Sequence, residues 1–183
     1  MSSLRGDKMR ECALRELHES QIPDLIALSK RLGWDYEKPE LQTVFRTGHL
    51  YGHVTAFGRV ISCAAVFPYG NQLASLGMVM VDPDYRGLGL GRAVTKQCLA
   101  STPKMPVTLI ATAEGKPLYE KLGFKTVDRL HKLIGPYHAP DQHDLPLPVD
   151  VEMTPVQDDH LNDVLRLDSM AVGQIDPFLS PID

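Results

Sequence analysis

The spacing of apolar and polar residues changes along the first third of the chain and predicts three elements. Residues 11–17 alternate apolar and polar side chains, which is typical of a half-buried strand. Residues 22–32 carry apolar side chains at helical spacing, and Gly33 is well placed to end that helix. A second short helix is predicted from Pro39, a favoured first-turn residue, to about Arg46.

Three strands are predicted next. Residues 49–57 and 60–67 are rich in strand-forming residues and flank a Gly-Arg pair, which indicates a tight hairpin. Residues 68–71, Pro-Tyr-Gly-Asn, predict another turn. Residues 73–81 are almost wholly apolar, so they predict a strand that is buried on both faces at the centre of a sheet.

Helices and strands continue to alternate up to residue 134. A helix is predicted from about Gly89 to Ser101, a further central strand over 106–112, a short helix that ends at Gly123, and a strand over 125–134. Antiparallel hairpins combined with a strand–helix–strand crossover indicate an α/β layered (α+β) domain with a mixed sheet.

Composition and charge narrow the function classes. The formal net charge is -4, so the chain lacks the bulk basic character of nucleic-acid-binding proteins. The three cysteines are far apart, which argues against a disulfide framework and a zinc site. No signal-peptide pattern and no apolar run of about 18 residues is present. We therefore expect a cytoplasmic protein with no membrane or nucleic-acid partner.

A proline-rich segment divides the chain. Residues 135–150 contain four of the fourteen prolines and are predicted to be a linker. Four side chains in this segment are possible metal ligands, but a solvated loop is the favoured interpretation and no metal is expected. These four are His138, Asp141, His143 and Asp144.

The segment after the linker resembles the start of the chain. When the sequence is shifted by 139 positions, Leu17 aligns with Val156, Ile22 with Leu161 and Leu28 with Leu167. One strand and one helix are thus repeated, although any two strand–helix units share some similarity. We predict a first domain over 1–134, a linker over 135–150, and the strand and helix of an incomplete second copy over 151–183.

A glycine-rich stretch, residues 81–94, follows the apolar strand and opens the next helix. Unpaired N–H groups at a helix start, glycines that allow close approach and the charge of Arg86 together suit a phosphate or pyrophosphate. No Walker sequence is present, and a dinucleotide fingerprint begun at Gly87 fails because Arg92 occupies the third glycine position. The pattern that fits is R-x-x-G-x-G, formed by Arg86, Gly89 and Gly91.

This stretch resembles the acetyl-CoA signature of the GCN5-related N-acetyltransferases, the GNAT superfamily. Residues 111–124 resemble a later family segment that ends Tyr-x-x-x-Gly-Phe, with Tyr119 33 positions after Arg86. The resemblance covers about residues 9–134. It implies a mixed, mostly antiparallel sheet flanked by helices, and the repeat suggests a tandem-GNAT protein with a truncated second domain.

The resemblance implies roles for individual residues. Val79, Met80 and Val81 would meet the pantetheine arm like an added strand, and Tyr119 would protonate the departing thiolate. Thr112 stands where many members have asparagine, so its contact with the pantetheine amide is expected to be altered. The pyrophosphate would be held by the seven residues of the glycine loop, which are Arg86, Gly87, Leu88, Gly89, Leu90, Gly91 and Arg92.

The implied activity is acetyl transfer from acetyl-CoA to a primary amine of a small molecule or a protein, by direct attack in a ternary complex. No acid in the strand 73–81 offers a base. Residues after the first helix and on one face of the strand 49–57 are candidates for the acceptor site. They are Trp34, Asp35, Tyr36, His49, Tyr51, His53 and Thr55.

Two alternatives and two further expectations remain. A non-catalytic acyl-CoA-binding regulatory or decayed module is supported by Thr112 and the missing base, whereas a dinucleotide-dependent enzyme is disfavoured by the glycine spacing. A homodimer is a further expectation, and so is a stability or oligomeric role of the tail after Pro148.

Overall fold

A computed structural model describes residues 12–132, 135, 151 and 154–172. It contains five strands and five α-helices within those ranges. The strands are β1 (Cys12–Glu16), β2 (His49–Thr55), β3 (Val60–Tyr69), β4 (Leu73–Val81) and β5 (Val107–Thr108). The helices are α1 (Ile22–Arg31), α2 (Lys38–Thr47), α3 (Leu90–Ser101), α4 (Lys116–Glu120) and α5 (Leu161–Val172).

The five strands form one sheet in the order β1-β2-β3-β4-β5. The first three pairings are antiparallel, and β4 pairs with β5 in parallel. The predicted mixed, mostly antiparallel sheet is therefore confirmed. The parallel pairing arises because α3 carries the chain back across the sheet between β4 and β5, as a crossover connection must.

Helices cover both faces of the sheet and give it two apolar layers. Leu25 and Leu28 of α1 and Leu41 of α2 are buried against one face. Val94 and Cys98 of α3 are buried against the other. Strand β3 is the centre of the sheet, since its first eight residues are all buried.

Three predicted strands need correction in the second half of the sheet. β4 is not buried throughout but alternates buried and partly exposed residues. Its buried side chains pack on the α3 face at Ala74 and Leu76, and on the α1–α2 face at Met78 and Met80. The predicted central strand 106–112 is reduced to the two residues of β5 at the sheet edge. Residues 125–132 of the predicted strand 125–134 are not in a strand, while 133 and 134 lie outside the described residues.

The corrections to the predicted strands 106–112 and 125–134 share a physical cause. A strand requires a neighbour that accepts its backbone hydrogen bonds, and β5 bonds to β4 at only two register positions. Ile110, Val127 and Leu130 are consequently 78%, 93% and 70% exposed. The apolar pattern that predicted these strands is present, but the described chain provides no strand for them to pair with.

The tail reproduces one feature of the start and not another. A 3-10 turn at Glu19–Gln21 leads directly into α1, and a 3-10 turn at Asp158–His160 leads directly into α5. Residues 151 and 154–157, by contrast, are not in a strand, and no strand among the described residues pairs with them. Most of the predicted linker, including the four discounted metal ligands, lies outside the described residues.

None of the helices in the described part of the chain is long and apolar enough to cross a membrane.

Candidate active site

A gap opens in the sheet between β4 and β5. The two strands pair only at Ala74 with Val107 and at Ser75 with Thr108. Beyond these pairs β4 continues to Val81 without a strand on that side, within the described residues. The predicted cofactor-contacting residues Val79, Met80 and Val81 lie on this unpaired part of β4. A free strand edge of this kind is able to accept an extended, amide-containing ligand as an additional strand.

A bulge distorts β4 beside the gap. The pairing register with β3 shifts between Cys63 and Ala65, and Met78 has a φ of 51°. Left-handed backbone at a residue other than glycine is uncommon and occurs where the surroundings hold it in place. Here the buried Cys63 thiol donates to the Met78 carbonyl oxygen, with the sulfur and oxygen 3.4 Å apart. Position 78 itself is not a glycine, and the local signal for this bulge was the isolated Gly77 inside the strand.

The glycine loop, residues 86–92, presents a row of free backbone donors. Gly87 and Gly89 have φ values of 75° and 81°, and Gly89 is the N-cap of α3. The first helical bond at this end runs from Ala93 N–H to the Gly89 oxygen. The six N–H groups from Gly87 to Arg92 donate to no backbone acceptor among the described residues. No side chain caps this helix and no acid lies in its first turn, so the loop is open to an anion.

Positive side chains flank these donors. Arg86 and Arg92 are exposed, and neither forms an ion pair within the described ranges. The Arg86 N–H already donates to the Pro83 oxygen at 3.3 Å, because it closes a 3-10 turn. The predicted contact of Arg86 with a pyrophosphate stays a prediction, with the guanidinium as its free donor.

Helix α4 approaches the glycine loop and the end of β4. A Cβ atom added to Gly91 would lie 3.4 Å from Val81 Cγ2 and 3.5 Å from Leu118 Cδ2. Three elements thus meet at one point: the last residue of β4, the first turn of α3, and α4. The predicted site residues of these three elements are brought together by the fold. These distances are ordinary van der Waals contacts, so they show how closely the three elements approach one another.

Tyr119 is the buried residue of α4. Its ring packs edge-on against Phe124, with the ring centroids 5.9 Å apart. Burial raises its pKa above the ordinary value of 10.0, so the phenol keeps its proton across the neutral range. No hydrogen bond to its hydroxyl is formed within the described part of the chain. Tyr119 is therefore an available proton donor.

Thr112 holds the turn that begins α4. Its hydroxyl oxygen accepts a hydrogen bond from the Gly115 N–H at 3.1 Å, and its carbonyl accepts from the Gly115 and Lys116 N–H groups. The side chain is exposed, and the hydroxyl hydrogen is left to donate. The predicted contact with a cofactor stays a prediction, and the structure adds a role in placing Tyr119.

The acceptor candidates on β2 have local partners. Exposed His49 pairs with Glu16 at 3.2 Å, and the Thr55 hydroxyl accepts from the Arg59 N–H. His53 is buried, its Nδ1 lies 2.7 Å from the Ser62 hydroxyl oxygen, and burial lowers its pKa. Buried Tyr51 belongs to the same apolar cluster as Tyr119. Each of these four residues thus contacts a neighbouring strand, a turn or the core, and their role in an acceptor site stays a prediction.

The acceptor candidates after α1 pack on the α1–α2 face of the sheet through Tyr36. Tyr36 packs against the core cluster that contains Met78 and Met80 of β4. The Trp34 and Tyr36 rings are 6.0 Å apart, and Trp34 is 36% exposed. Burial is the main cause that raises the pKa of Tyr36, and the neighbouring Asp35 charge contributes to it.

Sequence reasoning missed a cluster of charges behind the glycine loop. Asp82, which follows β4 directly, has a side chain only 2% exposed. Its carboxylate contacts Arg31 at the end of α1 and Arg59 at the β2–β3 turn, at 3.2 and 2.9 Å. Asp82, Arg31 and Arg59 are far apart in the sequence, so their contact could not be predicted. The one local signal was an acidic residue, Asp82, placed directly between the apolar strand β4 and Pro83. In the described ranges, no group of three or more His, Cys, Asp or Glu is placed to hold a metal.

A sheet gap, a glycine loop with free N–H donors and a buried tyrosine are the features expected of an acetyltransferase-type domain, and comparison with known proteins agrees. Residues 47–126 match the family model for an acetyltransferase (GNAT) domain. YitH of Bacillus subtilis, an uncharacterized N-acetyltransferase, is 35% identical over 162 residues, which are 87% of this chain and 56% of that protein. Residues 47–126 of the chain are therefore a GNAT acetyltransferase domain.

Solved structures agree with this assignment. A Trypanosoma brucei acetyltransferase superposes with a TM-score of 0.56 and 25% identity, covering 68% of this chain and 99% of that one. A Pyrococcus horikoshii structure has a TM-score of 0.60 and 16% identity, covering 93% of this chain and 60% of that one; this likeness concerns the fold alone. The chain spans less than two thirds of the length of the curated relatives it matches, at 56%, 58% and 61%.

Proposed function

We propose that this chain is an acetyl-CoA-dependent N-acetyltransferase that acetylates a primary amine by direct attack in a ternary complex. The observation that carries the proposal is the row of six free N–H groups from Gly87 to Arg92. This row lies beside an unpaired strand edge and a buried tyrosine. Acetyl-CoA, the co-substrate of the family, has a pyrophosphate for the loop and an amide-containing arm for the strand edge.

The binding step divides the ligand between two elements. The pyrophosphate would lie on the glycine loop, with Arg86 and Arg92 supplying positive charge. The pantetheine arm would run along β4 from Val81 towards the bulge at Met78. A thioester carbonyl close to the bulge would accept a hydrogen bond from the N–H of Val81 or of a neighbouring residue of β4. The Thr112 hydroxyl is a candidate donor to the arm.

The chemical step is direct attack of the amine on the thioester. The neutral amine nitrogen forms a bond to the thioester carbon, and the carbon–sulfur bond breaks. The sulfur leaves as a thiolate and takes the proton of the Tyr119 hydroxyl, which is regained from water. The amine proton also passes to water or to a base. Because burial raises the Tyr119 pKa, its acid form persists at the alkaline pH that favours a neutral amine.

The acceptor would approach from the α1–α2 side of the gap. Trp34 and Tyr36 offer aromatic faces and Asp35 offers a carboxylate, a combination that suits an amine arriving as a cation. This set suits a primary amine of either a small molecule or a protein.

The test of the binding step is calorimetric titration with acetyl-CoA, coenzyme A and NAD. We expect micromolar binding of both coenzyme A species and none of NAD. Arg86→Glu should abolish binding, whereas Arg15→Glu, on the strand at the opposite edge of the sheet, should not. No binding of either coenzyme A species by the wild-type chain would refute the proposal.

The test of the chemical step is Tyr119→Phe. We expect turnover with a reactive amine to fall by about 10²-fold or more while acetyl-CoA affinity is retained. Tyr69→Phe is the matched control, because it removes a hydroxyl that bonds to Ser75 outside the proposed machinery. Normal affinity without turnover in the wild-type chain would favour the alternative of a non-catalytic acyl-CoA-binding module, which the absence of an acid in β4 supports.

We also propose that residues 151–172 begin a second, related unit. The shift of 139 aligns both 3-10 turns and the first residues of α1 and α5. The YitH match of 162 residues is longer than the proposed first domain. Removing the chain after Pro148 should change the melting temperature or the size-exclusion volume, and an unchanged protein would contradict this role. The possible homodimer would be seen in the same measurement.

A further inference from the structure

Asp82 is a buried carboxylate enclosed by charges from three parts of the chain. Arg59 Nη2 donates to one carboxylate oxygen at 2.9 Å. Arg31 Nη2 lies 3.2 Å from the other oxygen, and it also donates to exposed Asp84 at 2.8 Å. The Arg59 guanidinium carbon is 5.7 Å from the centre of the Tyr85 ring. We call these five residues the Asp82 cluster.

The cluster also organises the backbone between β4 and the glycine loop. One Asp82 carboxylate oxygen accepts from the Asp84 N–H at 3.0 Å, and its carbonyl accepts from the Tyr85 N–H at 2.8 Å. The Asp82 N–H in turn donates to Ile61 of β3 at 2.8 Å. The 3-10 turn Pro83–Tyr85 is therefore fixed to the sheet immediately before residue 86. The direction in which the chain enters the glycine loop is decided here.

A buried carboxylate is retained at a cost unless it is paired and hydrogen-bonded. Asp82 meets both conditions, and its two partners come from helix α1 and from the β2–β3 turn. The glycine loop itself contains three glycines and makes no backbone hydrogen bonds through its last six N–H groups. The loop therefore depends on its anchored entrance to keep these donors aligned.

We propose that Asp82 is a positioning residue for the cofactor. Through Arg31 and Arg59 it holds the entrance of the glycine loop, so that the free N–H groups converge on one anion before the ligand arrives. This inference rests on the proposed function in one respect, which is that the anion belongs to acetyl-CoA. The positioning of the loop is testable without any ligand.

The test variant is Asp82→Asn, which keeps the side-chain size and one acceptor oxygen and removes the charge. We expect acetyl-CoA affinity to weaken by about tenfold to a hundredfold, since small displacements of binding groups have effects of this size. In steady-state assays KM for acetyl-CoA should rise while kcat changes little. Asp84→Asn is the matched control: the same substitution two positions away, on an exposed side chain that also contacts Arg31, should change affinity far less.

A second control separates positioning from stability. Leu25→Ala removes a fully buried side chain of α1 and should lower the melting temperature without changing the affinity of the folded fraction. If Asp82→Asn behaves like Leu25→Ala, the positioning role is refuted. Rescue is a further check, because Asp82→Glu keeps the charge and should bind better than Asp82→Asn.

Hydrogen exchange without ligand distinguishes this inference from the proposed function. In Asp82→Asn, the hydrogen-bonded N–H groups of residues 82–86 should exchange faster than in the wild type and in Asp84→Asn. If Asp82→Asn exchanges faster but the wild-type chain binds no coenzyme A, the positioning of the loop is supported and the cofactor assignment is refuted. Unchanged exchange together with unchanged affinity would overturn the inference while leaving the cofactor assignment intact.

Discussion

The two halves of the sheet differ in how completely their backbone is paired. β2 and β3 form long antiparallel pairings, and the first eight residues of β3 are buried. At the other end, β4 meets a two-residue β5, and the apolar Ile110 is 78% exposed. The candidate site lies at the boundary between these regions. Free donors and a free strand edge are available because pairing stops there, whereas the paired half gives them a rigid support.

The largest expected effect is a loss of stability on substitution in the fully paired half of the sheet. Leu50→Ala removes a side chain of β2 that is 1% exposed and should lower the free energy of unfolding by about 2–5 kcal/mol. Ile110→Ala, beyond β5, should change it by no more than about 0.5 kcal/mol. Chemical denaturation measures both. Similar losses would show that the region after β5 is packed as tightly as β2.

The next largest effect is expected at two glycines, one in the fully paired half of the sheet and one in β4 beside the gap. A Cβ at Gly52 of β2 would lie 2.5 Å from the Ser62 oxygen and 2.8 Å from Leu17 Cδ1, so Gly52→Ala should be destabilising by about 1–3 kcal/mol. At Gly77 of β4 the nearest atom would be Phe67 Cε2 at 3.9 Å, and Gly77→Ala should be tolerated. Thermal melting of the pair measures this difference. A greater loss for Gly77→Ala would contradict it.

A smaller effect is expected in the glycine loop. Gly89 has a φ of 81° and no atom within 4 Å of an added Cβ. Gly89→Ala should therefore cost about 1 kcal/mol through backbone strain alone, while weakening acetyl-CoA binding because the donors shift. Calorimetry and melting on the same sample separate the two effects. Full stability with unchanged affinity would show that the left-handed turn is dispensable.

The smallest expected effect is a pH dependence of the melting temperature that arises from His53 in the fully paired half of the sheet. Burial lowers the pKa of His53 in the folded protein, so the unfolded chain binds the proton more readily. The stability that neutral His53 contributes is fully present above its unfolded pKa of about 6.5 and is lost progressively as pH falls below it. The melting temperature should thus fall between pH 7 and pH 5 less steeply in His53→Gln than in the wild type. Parallel slopes would contradict this assignment.

Sequence patterns correctly predicted the elements whose conformation is decided by their own side chains and by the residues at their ends. The helices α1, α2 and α3 and the hairpin strands were expected from apolar spacing, prolines and glycines, and β4 has the predicted bounds. The glycine loop was identifiable because its chemistry lies in seven consecutive residues. Tyr119 was identifiable only through its family-like interval from Arg86 and its Gly-Phe neighbours.

Long-range pairing decided the rest. The positions where strands are able to form and the loop that suits an anion follow from local properties of the sequence, namely side-chain period and glycine content. The tertiary structure alone decided that β5 shrinks to two residues, that Met78 adopts a bulge beside Cys63, and that Asp82 finds Arg31 and Arg59. Each of these features depends on a partner distant in the chain, and hydrogen bonds and ion pairs of that kind have no signature in the local spacing of residues.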